Sequence, residues 1–174
     1  MFHVNKGVIG FKIDNTDDAE LKQCDVKRIV NYGASASRRC GRYHRSHPLA
    51  TYPRYGGATV RGFSFAGSRN AIVKKCSVSD LVSENGDALG YDVLTDSRNI
   101  RLESCSASGI QALGEDTFGL TPNAACGLRF CEASKNSRIS DFCFETPFAS
   151  KGIMFKTMDF GKGNTIVNEQ CADS

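Results

Sequence analysis

Five copies of one phrase, each about fifteen residues long, constrain this chain more than any other feature. Each copy opens with Gly, then an aromatic or aliphatic residue, any residue and an apolar one. A small hydroxyl residue follows, then Asn or Asp, then a further apolar residue. The openings read Gly10-Phe11-Lys12-Ile13, Gly62-Phe63-Ser64-Phe65, Gly90-Tyr91-Asp92-Val93, Gly127-Leu128-Arg129-Phe130 and, more loosely, Gly152-Ile153-Met154-Phe155. A unit this short cannot bury an apolar face alone. Self-similarity at this scale therefore means units stacked on their neighbours around a shared core.

The Gly-aromatic-x-apolar piece alternates with period two, which predicts a half-buried strand. Phe11/Ile13, Phe63/Phe65, Tyr91/Val93, Leu128/Phe130 and Ile153/Phe155 are expected inside, with Lys12, Ser64, Asp92, Arg129 and Met154 in an outward column. On that register Asp92 and Arg129 become outward neighbours on adjacent repeats, a cross-strand ion pair of at most about 1 kcal/mol. The Thr/Ser-x-Asp/Asn step is a turn, because these side chains bond nearby backbone groups. It predicts a ladder of Asp18, Asn70, Asn99, Asn136 and Asn164. Leu21, Cys24, Ile29 and Val30 have partly helical spacing. The equivalent phrases Ala71–Cys76 and Asn99–Leu102 are β-branched and bounded by Asn, which assigns strand throughout.

Composition narrows the class. At 174 residues with 40% hydrophobic and 24% charged content the chain suits a single folded domain, 1–174, and not a disordered one. A net charge of +3 is too small to imply a polyanion by itself, and a nucleic-acid partner is not expected. No stretch reaches the length of a membrane span, and residues 1–10 lack the apolar run of a secretory signal. Cys24, Cys76 and Cys105 fall at one repeat position among apolar residues. They are expected to be interior thiols, which favours a reducing compartment.

Strands every eight to ten residues, the Gly-Phe-x-Ile/Phe, Ser-Arg-Asn and Ile/Leu-x-x-Cys phrases and the Asn ladder resemble the right-handed parallel β-helix of the pectin-lyase-like superfamily. The resemblance covers nearly the whole chain. It implies an all-β, single-stranded solenoid of about five coils, each about 4.8 Å above the last. The register also places Cys143 and Cys171 one coil apart on an outer face, at a separation a disulfide can span.

Repeat glycines are 52, 28, 37 and 25 residues apart, and the extra length falls between the third strand and the next glycine. The loops Asn31–Gly57, Val82–Asp87, Gln111–Ala124 and Thr146–Lys151 should therefore emerge along one edge, where insertions in repeat proteins build binding faces. The first loop carries Arg38, Arg39, Arg42, Tyr43, His44, Arg45, His47, Tyr52, Arg54 and Tyr55 with no carboxylate between them. Arg pairs with carboxylate, sulfate or phosphate and Tyr stacks on a sugar or base, so these ten residues are expected to bind an acidic glycan. Cys40, His44 and His47 have metal-like spacing without a clear fourth ligand.

No cofactor is expected of a binding module, and a non-catalytic β-helix module with a polysaccharide-binding or structural role is the first reading. The alternative is a polysaccharide lyase or epimerase acting on uronate-containing glycans. That alternative would need Ca²⁺ on Glu84, Asp87, Glu115 and Asp116. A hydrolase is not expected. Asn15-Thr16-Asp17-Asp18 is similar to part of a polygalacturonase motif, but the Asp-Asp pair, Gly-His-Gly and Arg-Ile-Lys that accompany it there have no counterpart here. Stacked repeats expose a sheet edge at each end, which leads to an expectation of self-association or of further coils beyond this sequence.

Overall fold

The computed structural model describes residues 8–31, 59–84, 86–94, 96–114, 124–132, 134–150 and 153–171. These form an all-β protein with no helix among the described residues, and hence no helix long and apolar enough to cross a membrane. The strands are β1 (Val8–Asp14), β2 (Glu20–Lys22), β3 (Asp25–Asn31), β4 (Val60–Ala66), β5 (Ile72–Lys74), β6 (Ser77–Ser83) and β7 (Ala88–Val93). There follow β8 (Arg101–Glu103), β9 (Ser106–Ala112), β10 (Ala124–Phe130), β11 (Arg138–Phe144), β12 (Phe148–Ala149), β13 (Ile153–Asp159) and β14 (Thr165–Glu169). Ala19–Val30 holds strands β2 and β3, separated by a left-handed corner at Gln23, and no helix, as the homologous phrases require.

Every strand pairs in parallel with its counterpart in the neighbouring repeat. One sheet runs β1-β4-β7-β10-β13; the other strands build a second parallel sheet in which β11 joins the β2-β5-β8 series to β3-β6-β9. Each repeat thus supplies one layer, and equal positions stack: Phe11, Phe63, Tyr91 and Leu128, then Ile13, Phe65, Val93 and Phe130. The length differences fall where expected, before β4, β7, β10 and β13.

The repeated glycine has a steric cause. A Cβ built on Gly62 would lie 2.6 Å from the carbonyl oxygen of Gly90 in the next layer, and one on Gly90 equally close to that of Gly127. A backbone oxygen one layer away cannot step aside without breaking the ladder.

Aromatic rings continue the column. Phe11, Phe63 and Tyr91 stack at 5.0 and 5.1 Å between centroids with planes 5° apart, and Phe144 follows Tyr91 at 5.7 Å. Offset ring pairs of this kind add about 0.5–1.5 kcal/mol beyond the area they bury. The buried Tyr91 hydroxyl lies 2.8 Å from the carbonyl oxygen of Cys76 and 3.1 Å from that of Ser106, so its proton is never without an acceptor. Burial, and the neighbouring Cys105 and Cys76, push its pKa well above the usual phenol value.

The small hydroxyl residue closes the layers together. Ser68 and Ser97 are fully buried and donate to the carbonyls of Ile13 and Phe65, each one layer back. A buried hydroxyl without such an acceptor would cost about 1–3 kcal/mol.

Two parts of the sequence reading need correction. The fifth layer does not begin at Gly152. Leu128 pairs with Thr157, Arg129 with Met158 and Phe130 with Asp159, so Lys156 holds the glycine position and Thr157 and Asp159 follow the inner columns. Ile153, Met154 and Phe155 are instead 42, 48 and 44% exposed. The fifth turn position belongs to Gly163, at φ 68°, and not to Asn164.

The outward column is also not uniformly outward. Ser64 and Asp92 are buried. Asp92 is gripped from both neighbouring layers: Arg61 donates through Nε at 2.5 Å, and Arg129 through Nε at 2.8 Å and a terminal nitrogen at 2.9 Å. The expected surface pair is a buried three-residue network, governed by desolvation and not by exposed Coulomb attraction. Burial alone would lower the Arg129 pKa, but its hydrogen bonds to Asp92 raise it overall.

Cys143 and Cys171 are joined as a disulfide with Cα atoms 4.7 Å apart, a pairing that the register allowed. Cys76 and Cys105 are free and buried, and Cys24 is free and half-buried. Burial pushes the Cys105 thiol up to about 11 and that of Cys126 to about 12.

Candidate polyanion-binding groove

The Ser-x-Asn turns place three short columns side by side. Asp18, Asn70, Asn99, Asn136 and Gly163 all have left-handed backbone, with φ between 53 and 68°. Asn tolerates that conformation better than other residues with side chains, and Gly has no penalty there. The amides link layers at the start of the ladder: Asn70 donates to Asp18 and Asn99 to Asn70, both at 3.0 Å. The side chain of Asn136 has no hydrogen-bond partner among the described residues.

One residue earlier, Asp17, Arg69, Arg98, Lys135 and Lys162 pair by successive parallel bridges. From the second layer to the fifth this column is a row of four exposed cations, none with an ion-pair partner among the described residues. Two residues after the ladder, the starts of the second strands form the column Glu20, Ile72, Arg101, Arg138 and Thr165. Arg101 and Arg138 are likewise exposed and unpaired among the described residues.

Ladder and strand starts line an open groove of about 1010 Å³ in which the cations Arg101 and Arg138 stand with the carboxylates of Asp18, Glu20 and Glu103 and the amides of Asn70, Asn99 and Asn136, with no aromatic side chain among the described residues that line it. Charges about 4.8 Å apart along the stack repel by about 0.9 kcal/mol per adjacent pair in water before salt screening. An extended anion lying along the groove would remove that repulsion at each layer.

The residues singled out from sequence fare differently. All ten residues of the basic loop, from Arg38 to Tyr55, lie outside the described residues, as do Cys40, Glu115 and Asp116. Asp87 is already engaged: its carboxylate accepts the Ala124 amide at 2.9 Å and stands 3.7 Å from Arg129. Glu84 also has a partner. Among the described residues no three His, Cys, Asp or Glu side chains come together as a metal site.

The sequence reading gives none of the six cations of this corner a binding role, and of the six only Arg101 and Arg138 line the groove. The signal of the corner column was present in the middle residue of Ser68-Arg69-Asn70, Ser97-Arg98-Asn99 and Ser134-Lys135-Asn136, phrases whose flanking residues had been read only for the turn.

Compared with protein-family models, with curated proteins and with solved structures, the chain finds no match. Fold and groove together define an all-β protein of stacked parallel layers that carries a basic stripe along one corner.

Proposed function

We propose that this chain is a right-handed parallel β-helix module of the pectin-lyase-like kind that binds an acidic polysaccharide and does not cleave it. The winding is supported by the layer-by-layer parallel pairing and by a second left-handed corner in every layer, at Gln23, Lys75, Ser104, Asp141 and Asn168. The binding reading rests above all on one observation: from the second layer to the fifth, one cation per layer, without an ion-pair partner among the described residues, repeats down one corner.

Such a stripe matches a ligand that is itself linear, with a negative group on each repeating unit. Beside the stripe, the groove offers the guanidinium groups of Arg101 and Arg138 for carboxylates and amides for hydroxyls, while Asp18, Glu20 and Glu103 keep its first three layers less favourable to an anion than the fourth. Among the described residues it offers no ring on which a nucleobase could stack, and sequence-tolerant single-strand binders use such rings.

The test is co-sedimentation with polygalacturonate at low and high salt, with Ca²⁺ added to a parallel sample and ultraviolet absorbance followed for unsaturated products. Retention that weakens with salt, weakens again in Arg98→Ala/Lys135→Ala and yields no product supports the module. Growth of absorbance overturns the non-catalytic reading, and retention unchanged in the double variant removes the stripe from it.

A further inference from the structure

Three free thiols, Cys24, Cys76 and Cys105, form a column just past the left-handed corner at Gln23, Lys75 and Ser104. Each donates to the carbonyl oxygen two residues before it, of Lys22 at 3.4 Å, Lys74 at 3.3 Å and Glu103 at 3.5 Å, so the three side chains share one orientation. The pairs on either side, Lys22 with Lys74 and Asp25 with Ser77, put Cys24 and Cys76 at equal positions of the first and second layers. The Cys24 amide donates to the Cys76 sulfur at 3.4 Å, and the Ser77 amide to the Cys24 carbonyl at 3.0 Å.

The three thiols differ in burial and in partner. Cys76 and Cys105 are buried, whereas Cys24, with no described layer before it, is half-buried. The Cys105 side chain is engaged with the Tyr91 hydroxyl, while that of Cys76 interacts with Cys24.

We infer that Cys24 and Cys76 are a redox pair, closed into a reversible interlayer disulfide by exchange with a low-molecular-weight disulfide such as oxidised glutathione. Equal positions in neighbouring parallel strands lie about 4.8 Å apart, within the range of about 4.4–6.8 Å that a disulfide spans between Cα atoms. The protein already closes one bond of this kind across a layer boundary, at a Cα separation of 4.7 Å between Cys143 and Cys171. That bond ties the fifth layer to the fourth; the second would tie the first layer, which pairs on one side only, to its neighbour.

The exchange has two steps. The half-exposed Cys24 thiolate attacks one sulfur of glutathione disulfide, and the first glutathione leaves as thiolate. The Cys76 thiol then gives its proton to water and attacks the Cys24 sulfur, expelling the second glutathione. Each leaving thiolate takes up a proton, so two protein thiols are oxidised and one glutathione disulfide is reduced to two glutathiones. Burial pushes the Cys76 thiol above 9.0, and the Cys24 side chain adds to this against the pull of the Cys24 amide. The closing step should therefore be the slower one at neutral pH.

The experiment is incubation of the whole chain with glutathione buffers of rising disulfide content, then acid quench, alkylation and non-reducing peptide mapping by mass spectrometry. The wild type should give a Cys24–Cys76 cross-linked peptide that excess glutathione reverses, with no glutathione retained on either residue. Cys76→Ser should stop with one glutathione on Cys24, and Cys24→Ser should slow modification of Cys76 about tenfold or more. Cys105→Ser should behave as the wild type. Decay of the mixed disulfide should speed up about tenfold from pH 7 to pH 8, as the Cys76 thiolate fraction does.

The wild-type map decides the matter even if Cys76→Ser unfolds the chain. Glutathione that stays on Cys24, a cross-link between Cys76 and Cys105, or a Cys24 that remains a thiol in the most oxidising buffer each overturns the pair. A closing rate independent of pH removes Cys76 as the attacking group and overturns it as well.

Discussion

The fourth and fifth layers occupy equivalent positions in one sheet, yet they follow different rules. In the fourth, Gly127 cannot accept a Cβ, because the atom would lie 2.7 Å from the carbonyl oxygen of Lys156 in the layer above. In the fifth, the same position is Lys156 itself, and no described strand lies beyond β13 to meet its side chain. Leu128 and Phe130 are fully buried, whereas Thr157 and Asp159, one layer on, are polar and partly or fully exposed. The repeat is therefore a consequence of the layer that follows: Gly10 in the first layer, with a neighbour on one side only, keeps its glycine because a Cβ there would lie 2.8 Å from the carbonyl oxygen of Gly62. Where no described strand follows, as after β13, the glycine and the inner apolar residue are both relaxed.

Charge gives the widest gap between the two regions. Asp92→Ala should cost about 3–5 kcal/mol, because it leaves Arg61 and Arg129 facing each other with no buried counter-charge. The fifth layer has its own ion pair, Lys156 to Glu169 at 2.6 Å, but both side chains are about two-fifths exposed. Glu169→Ala should cost less than about 1 kcal/mol. Urea denaturation of the two variants measures both numbers, and similar losses would mean that burial does not separate the regions.

Steric demand comes next. Gly90→Ala should cost about 1–3 kcal/mol through forced separation of the third and fourth layers. Lys156→Ala should stay within about 0.5 kcal/mol of the wild type. A Gly90 variant as stable as the parent would show that the glycine column has some cause other than the neighbouring carbonyl.

The same contrast explains what could be read from sequence. The first four openings were legible because stacking leaves little choice at Gly10, Gly62, Gly90 and Gly127, and because alternation marks Phe63/Phe65 and Tyr91/Val93 as a buried pair of columns. Gly152-Ile153-Met154-Phe155 imitated that pattern four residues too early. The true fifth copy, Lys156-Thr157-Met158-Asp159, has lost the features by which a copy is recognised. Asp92 was misplaced for a related reason: strand alternation assigns a face, but it does not say whether that face is covered, and Arg61 lies outside the repeated phrase. The cations of the corner column are hidden in ordinary turn phrases. Arg69, Arg98 and Lys135 are one turn position each, and only their stacking turns three ordinary surface charges into a row.

Sulfur chemistry sharpens the comparison on a local scale. The Cys143–Cys171 disulfide ties the end of β11 to the segment after β14, across the fourth and fifth layers. Its reduction should speed amide hydrogen exchange in β13 and β14 while β4 and β7 keep their protection, since the central strands are paired on both sides. Uniform loss of protection would mean that the layers unfold as one unit and that the fifth has no separate stability.

Alkaline titration gives the smallest effect and tests the central layers alone. Cys105 and Cys126 ionise at about 11 and about 12 in the folded protein, against 9.0 for an unperturbed thiol, because burial disfavours the thiolate. Above pH 9 the unfolded chain releases protons that the folded chain still holds, so unfolding gains as pH rises. The contribution is fully present below pH 9 and is lost progressively between 9 and about 11 for Cys105, and up to about 12 for Cys126. One unit above pH 9, each such thiol accounts for a loss of about 1.4 kcal/mol. Comparing urea midpoints of the wild type and Cys126→Ala at pH 8 and pH 10 isolates this term from the other titrating groups. The variant's midpoint should fall less between the two pH values than the wild type's. Parallel falls would place Cys126 in contact with solvent, and with it the interior of the fourth layer.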